Sequence, residues 1–231
     1  MLENVRGLLD PMFEEYRLGI DGHLVALGYV PRWKLLNASD FGVPQLRPRA
    51  ILVAFRRDQI GAKFFTWPKS EFKPPTVGEV LHPLMASQGW ELVDDWAEKA
   101  SSIAPTLVGG SKKHGGPDLG PTRARKAWAK LGVDGLGIAN DPPEREFIGM
   151  PRLTVAMAAL VQGFPKDWTF AGRKTAAYRQ VGNAFPPPVA AAVAHQLHKY
   201  LQPVVQITMD DLVRPDGDRV TQLALTTERH G

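Results

Sequence analysis

The chain has 231 residues, room for one large domain or two modest ones, with 44% hydrophobic and 23% charged residues, a globular balance. No apolar run reaches the ~18–20 residues that span a bilayer, and no signal peptide is visible at the start, so a cytoplasmic chain is expected. A net charge of +4 suits a polyanionic partner without requiring one, and the lack of any cysteine excludes disulfides, thiolate metal sites and a cysteine nucleophile within these residues.

In chain order, residues 9–28 predict an amphipathic helix. Phe13, Tyr16, Ile20, Leu24 and Leu27 recur at three- and four-residue steps, and Gly28 is placed to stop it. Strand-like runs follow at Trp33–Leu36 and Ala50–Phe55, joined by the Gly- and Pro-bearing stretch Phe41–Pro48, which predicts a hairpin. Residues 59–149 are rich in Gly and Pro and read as a loop-rich module, with helical patches at Val77–Ser87 and Asp94–Ala100. Within it, the segment from Gly109 to Lys130 carries Lys112, Lys113, Arg123, Arg125, Lys126 and Lys130 against one acid, Asp118. A buried helix is predicted over 152–163 and another over Val189–Leu201, after the triple proline Pro186–Pro188. Residues 204–231 give no clear pattern, and there is no internal repeat.

Short motifs are spread along this frame in a definite order. They are Leu2-Glu3-Asn4-Val5, Gln45-Leu46-Arg47-Pro48-Arg49, Pro151-Arg152-Leu153-Thr154 through Gln162-Gly163-Phe164-Pro165, and Arg179-Gln180-Val181-Gly182-Asn183-Ala184-Phe185-Pro186-Pro187. Each alone is weak. Taken in order, with a variable basic segment between the second and third, they resemble the late motifs of the bacterial-type DNA cytosine-5 methyltransferases.

That resemblance implies an α/β fold, the C-terminal part of a Rossmann-like S-adenosylmethionine-dependent domain interrupted by a small target recognition domain. Residues 1–58 and 150–203 would belong to the catalytic domain, 59–149 to the recognition domain, and 204–231 to a tail of unassigned role. Cytosine C5 is a poor nucleophile until a group adds at C6. In the family a cysteine thiolate does so while a carboxyl group holds the protonated N3. Glu3 matches that carboxyl, and the resemblance calls for a desolvated pocket with a raised pKa. Arg49 matches the arginine at cytosine O2, and Arg47 beside it is expected to orient neighbours or a phosphate. Gly182, Asn183 and Ala184 match the segment that closes over S-adenosylmethionine, with Gly182 allowing close backbone approach. Asn4, Val5, Gln45, Arg152, Thr154, Gln162 and Gln180 complete the motifs, and Met157 stands where the family commonly has an acid. Lys112, Lys113, His114, Arg123, Arg125 and Lys126 are the candidates for duplex DNA contact.

The family's cofactor loop and its Pro-Cys-Gln loop have no counterpart in these residues. The resemblance therefore implies either a partner chain that carries them, for a split methyltransferase, or a truncated, catalytically inactive remnant. A non-catalytic DNA-binding module is the alternative outside enzyme function.

Overall fold

The computed structural model describes residues 1–69, 72–109 and 117–201. The expectations placed on Lys112, Lys113, His114 and residues 204–231 therefore lie outside the described residues.

A three-stranded sheet forms from β1 (Leu2–Val5), β2 (Tyr29–Asn37) and β3 (Pro48–Arg56), in the order β1-β3-β2 with both pairings antiparallel. The centre belongs to β3 because its run Ala50-Ile51-Leu52-Val53 is apolar on both faces, and all four residues are buried. Pro31 is tolerated in β2 because that strand is an edge, and Pro48 sits at the first position of β3. The expected hairpin is present as the β2–β3 pair, with longer strands than the sequence runs suggest. Glu3 lies within β1, a strand that the apolar runs of the sequence do not show. The described residues are mixed α/β, as expected, and the strand pairings among them are antiparallel.

The first helix, α1 (Glu14–Ala26), is shorter than the periodicity predicts. Two 3-10 turns, Arg6–Leu9 and Pro11–Phe13, precede it, since Pro11 cannot donate into a longer helix. It packs on β2, where the Trp33 indole donates to Asp21 Oδ1 at 2.9 Å. Its supposed core face is not buried. Ile20 and Leu24 are half-buried, while Phe13, Tyr16 and Leu27 are exposed, as are Leu18 and Val25. Among the described residues, α1 has too little sheet above it to cover that stripe.

The remaining helices are α2 (Val77–Met85), α3 (Val93–Lys99), α4 (Thr122–Lys130), α5 (Val155–Val161), α6 (Lys174–Asn183) and α7 (Pro187–Leu201). A reciprocal cap starts α2: Thr76 Oγ1 accepts from Glu79 N at 3.1 Å and Glu79 accepts from Thr76 N at 2.7 Å. Neither α4 nor α6 is apparent in the sequence. Two cores result. One gathers Leu81, Met85, Trp96 and Trp128 from α2, α3 and α4 with Met157 and Tyr178 from α5 and α6. The other sets Ile51, Val53 and Phe55 of β3 against Val189 and Val193 of α7. Packing is thus continuous across residue 149, where composition changes. No helix among the described residues is long and apolar enough to cross a membrane.

The open face of α1 leads to a test. Gly19 and Gly22 sit mid-helix with nothing within 4 Å of an added Cβ. Gly19→Ala with Gly22→Ala should stabilise the chain by about 1–2 kcal/mol, because glycine costs about 0.5–1 kcal/mol per helix site. A rise of several degrees in thermal midpoint is expected, and no rise would show that α1 is not helical in solution.

Candidate functional site

β1 and β3 bring the first two motifs side by side. Glu3 lies opposite Ile51 in the antiparallel register, which places Arg49, two residues back, diagonally across on the same face. The Glu3 carboxylate meets Arg49 Nε at 2.6 Å, with side chains 25% and 11% exposed respectively. Arg49 also donates to Pro48 O at 3.0 Å. Burial lowers the Arg49 pKa, while the Glu3 charge and hydrogen bond oppose the shift. The surroundings of Glu3 differ from the closed, apolar pocket expected of it. It is partly open to solvent and already paired with a cation. Asn4 turns to its own backbone, accepting from Val5 N at 2.8 Å, and Val5 is exposed.

Arg47 points the other way, into the protein, and is 1% exposed. Its guanidinium donates to Leu107 O at 2.5 Å, Gly182 O at 2.8 Å and Ala184 O at 3.1 Å. Burial, reinforced by the Arg49 charge, lowers its pKa to about 9, so it stays charged at neutral pH. Gln45, fully buried, accepts from Leu107 N at 2.8 Å and donates to Gln162 Oε1 at 2.7 Å and Val161 O at 3.2 Å. Gln162 in turn donates to Ala184 O at 2.7 Å. Four stretches, 45–47, 107, 161–162 and 182–184, are thereby joined by one buried polar network. Both terminal nitrogens of Arg47 are engaged by the chain's own carbonyls while its buried Nε has no partner, an arrangement that orients neighbouring backbone rather than a phosphate or a reacting base.

The cofactor candidates are likewise rearranged. Gly182 does permit close approach, but the approaching backbone is this chain's own. A Cβ there would lie 2.6 Å from Gly109 Cα and 2.7 Å from Val108 C. The Gly182 and Ala184 carbonyls are held by Arg47, and the Gln180 amide is used within the chain, donating to Ala171 O ahead of α6 at 2.7 Å and to Ala176 O in its own helix turn at 3.2 Å. Asn183 alone of the three is exposed, with its side-chain amide over Gly109. One exposed amide is not a cradle, so the described residues do not by themselves fit S-adenosylmethionine.

The supporting motif residues do structural work. Thr154 Oγ1 caps α5, accepting from Met157 N at 3.2 Å, and the Met157 sulfur takes the place of the expected acid by accepting from Thr154 N at 3.4 Å. Arg152 pairs with Asp134 at 2.7 Å. Burial works against the Asp134 charge, but the Leu136 amide and Arg152 outweigh it and hold that carboxyl below its usual range. Of the basic candidates, Arg123 and Lys126 are exposed on α4, whereas Arg125 turns toward Gly135 and donates to Thr122 Oγ1 at 3.2 Å. Lys130 shares the face of Arg123 and Lys126; the basic run contained it, but only the helical phase reveals the grouping.

The order of these motifs along one sheet and one buried network agrees with the comparison to known families. The model for C-5 cytosine-specific DNA methylases matches residues 1–199. The chain belongs to that family. The Type II methyltransferase M.NaeI of Lentzea aerocolonigenes is 55% identical over 204 residues, covering 87% of this chain and 49% of the relative. M.NgoMIV of Neisseria gonorrhoeae is 49% identical over 206 residues, covering 87% and 64%. The C-5 methylase chain thus spans about half to two thirds of the length of these relatives. Among solved structures, a prophage-encoded E. coli protein assigned as a DNA modification methyltransferase matches with TM-score 0.51 at 19% identity, over 86% of this chain and 68% of that one. S. pombe Dnmt2 methyltransferase matches with TM-score 0.50 at 16% identity, over 87% and 67%. These two likenesses concern the fold.

Arg47 and Arg49 should differ sharply in their cost to stability. Arg47→Met strands the Leu107 and Gly182 carbonyls, Ala184 O keeping Gln162, and should cost about 3–5 kcal/mol in urea unfolding, whereas Arg49→Met should cost about 1 kcal/mol. Equal losses would contradict the inward clamp. Gly182→Ala should also destabilise, its Cβ having no room beside Gly109.

Proposed function

We propose that this chain is the DNA-recognising and cytosine-holding part of a DNA cytosine-5 methyltransferase that uses S-adenosylmethionine and acts on duplex DNA. The single observation that carries the reading is the Glu3–Arg49 pair, set side by side at a partly open sheet edge by two family motifs. A carboxyl and a guanidinium 2.6 Å apart suit one pyrimidine ring. Glu3 holds the proton at cytosine N3, and Arg49 donates to O2 as negative charge grows there. Both become useful when the target base leaves the stack, since neither can reach it inside a duplex. When bound, S-adenosylmethionine supplies the methyl group that C5 takes.

A thiolate that adds at C6 must come from polypeptide other than these 231 residues, which contain no cysteine. The surface agrees with a further body of protein at this edge. Leu2 and Val5 of β1 are exposed, as are Tyr16, Leu18, Val25 and Leu27 of α1. Among the described residues β1 pairs with β3 alone, leaving its other edge open. The same added polypeptide would complete the Rossmann-like sheet and the cofactor site. Residues 59–149 serve as the target recognition domain.

The test is transfer of labelled methyl groups to mixed-sequence duplex DNA. One arm uses this chain alone, and the other uses the chain co-expressed with the reading frame upstream of its gene. Activity confined to the second arm is expected, and silence in both contradicts the catalytic reading. In the active preparation, Glu3→Gln should lower methyl transfer by at least about 100-fold while leaving DNA affinity within about twofold, as expected when proton placement is lost and binding is kept. Equal loss of both would remove Glu3 from the chemistry.

A further inference from the structure

Helix α4 carries an arrangement of charge that costs it stability in isolation. Arg123, Lys126 and Lys130 fall at steps of three and four residues, so they share one face, and all three are exposed. Like charges at such spacings repel by tenths of a kcal/mol each. The first turn has no acid, Arg123 sits there against the positive helix end, and Pro121 offers no side-chain cap. None of the three cations forms an ion pair among the described residues. Together with Thr122 and Ala127 they line an open groove of about 550 Å³ free of acidic side chains.

The opposite side of α4 is fixed. Trp128 is fully buried in the helical core, which also takes in Leu119 and Leu131 from the segments on either side of α4. Arg125, on that inward side, packs against Gly135. The Tyr178 hydroxyl donates to Asp118 O at 3.1 Å, tying the approach to α4 onto α6. A row of cations on an anchored helix meets a polyanion without first paying for order.

We infer that Arg123, Lys126 and Lys130 form a phosphate-contacting row along one strand of duplex DNA, and that α4 clamps the backbone rather than reading bases. This rests on the proposed DNA-methylating role and adds Lys130 while removing Arg125 from the contact. Seven residues of helix advance by about 10 Å, and each strand of the duplex advances about 3.4 Å per phosphate, so three cations meet about three successive phosphates. Bound phosphates relieve the like-charge repulsion that the free helix carries. A row of this kind contributes affinity that is independent of sequence and sensitive to salt.

The experiment measures affinity of the full chain for a panel of duplexes of different sequence across a salt series. The variants are Arg123→Gln with Lys126→Gln and Lys130→Gln together, and Arg125→Gln alone. Each phosphate contact contributes about 0.9 to the slope of log affinity against log salt, so the triple variant should lose about 2 to 3 of that slope. The ratios of affinity among duplexes should stay as in wild type, and Arg125→Gln should keep the full slope. The triple variant should melt no lower than wild type, since glutamine is a good helix former and the repulsion is gone. A triple variant that keeps the wild-type slope, or that loses discrimination among duplexes, overturns the row. A wild-type chain that binds none of the duplexes overturns the row together with the DNA-binding reading, so the two failures are told apart.

Discussion

A buried guanidinium is the constraint on which this structure depends. Arg47 cannot be taken from water without partners, because an uncompensated buried charge costs several kcal/mol. Its partners are the carbonyls of Leu107, Gly182 and Ala184, residues 60 to 137 positions away in the chain. Meeting the demands of one side chain therefore fixes the start of the basic segment and the end of α6 relative to β3. Gln45 and Gln162 extend the same logic, each satisfying backbone or amide groups that would otherwise be stranded. The absence of side chains at Gly109 and Gly182 then lets two backbones lie nearly in contact.

The clamp explains how two arginines two positions apart can do different work. Arg47 enters β3 pinned from behind, which holds the strand's first residues in place. Arg49 then emerges in register with Glu3 across the β1–β3 pair. The candidate chemical pair is thus built on strands rather than loops, with a buried network at its back. The basic row of α4 is anchored in the helical core through Trp128 and Tyr178, and the Arg47 network joins that core to the sheet that carries the Glu3–Arg49 pair.

Much of this was legible in the sequence, though unevenly. The β2–β3 hairpin showed through its apolar runs, and the four motifs marked the residues that meet around Arg47 and Glu3. Direction was not legible. Spacing cannot say that Arg47 turns inward while Arg49 turns to Glu3, because that depends on what packs behind the strand. Helix α4 escaped notice because basic residues dominate it and Trp128 is its one buried apolar side chain. Helix α6 escaped because its buried set is small, and its Gly-Asn end was matched to a cofactor-closing segment rather than to a helix terminus. For α1 the periodicity was real, but a stripe of apolar residues reports a face that wants cover, and the cover is not among the described residues.

In the proposed function Glu3 and Arg49 activate the cytosine ring rather than merely hold DNA. The most direct measurement is release of tritium from the C5 position of cytosine in duplex DNA, without methyl donor, by the complemented enzyme and its Glu3→Gln form. Activation at C6 makes C5 basic, so release by the wild type and almost none by Glu3→Gln at equal DNA occupancy is expected. Release by Glu3→Gln at the wild-type rate would contradict it.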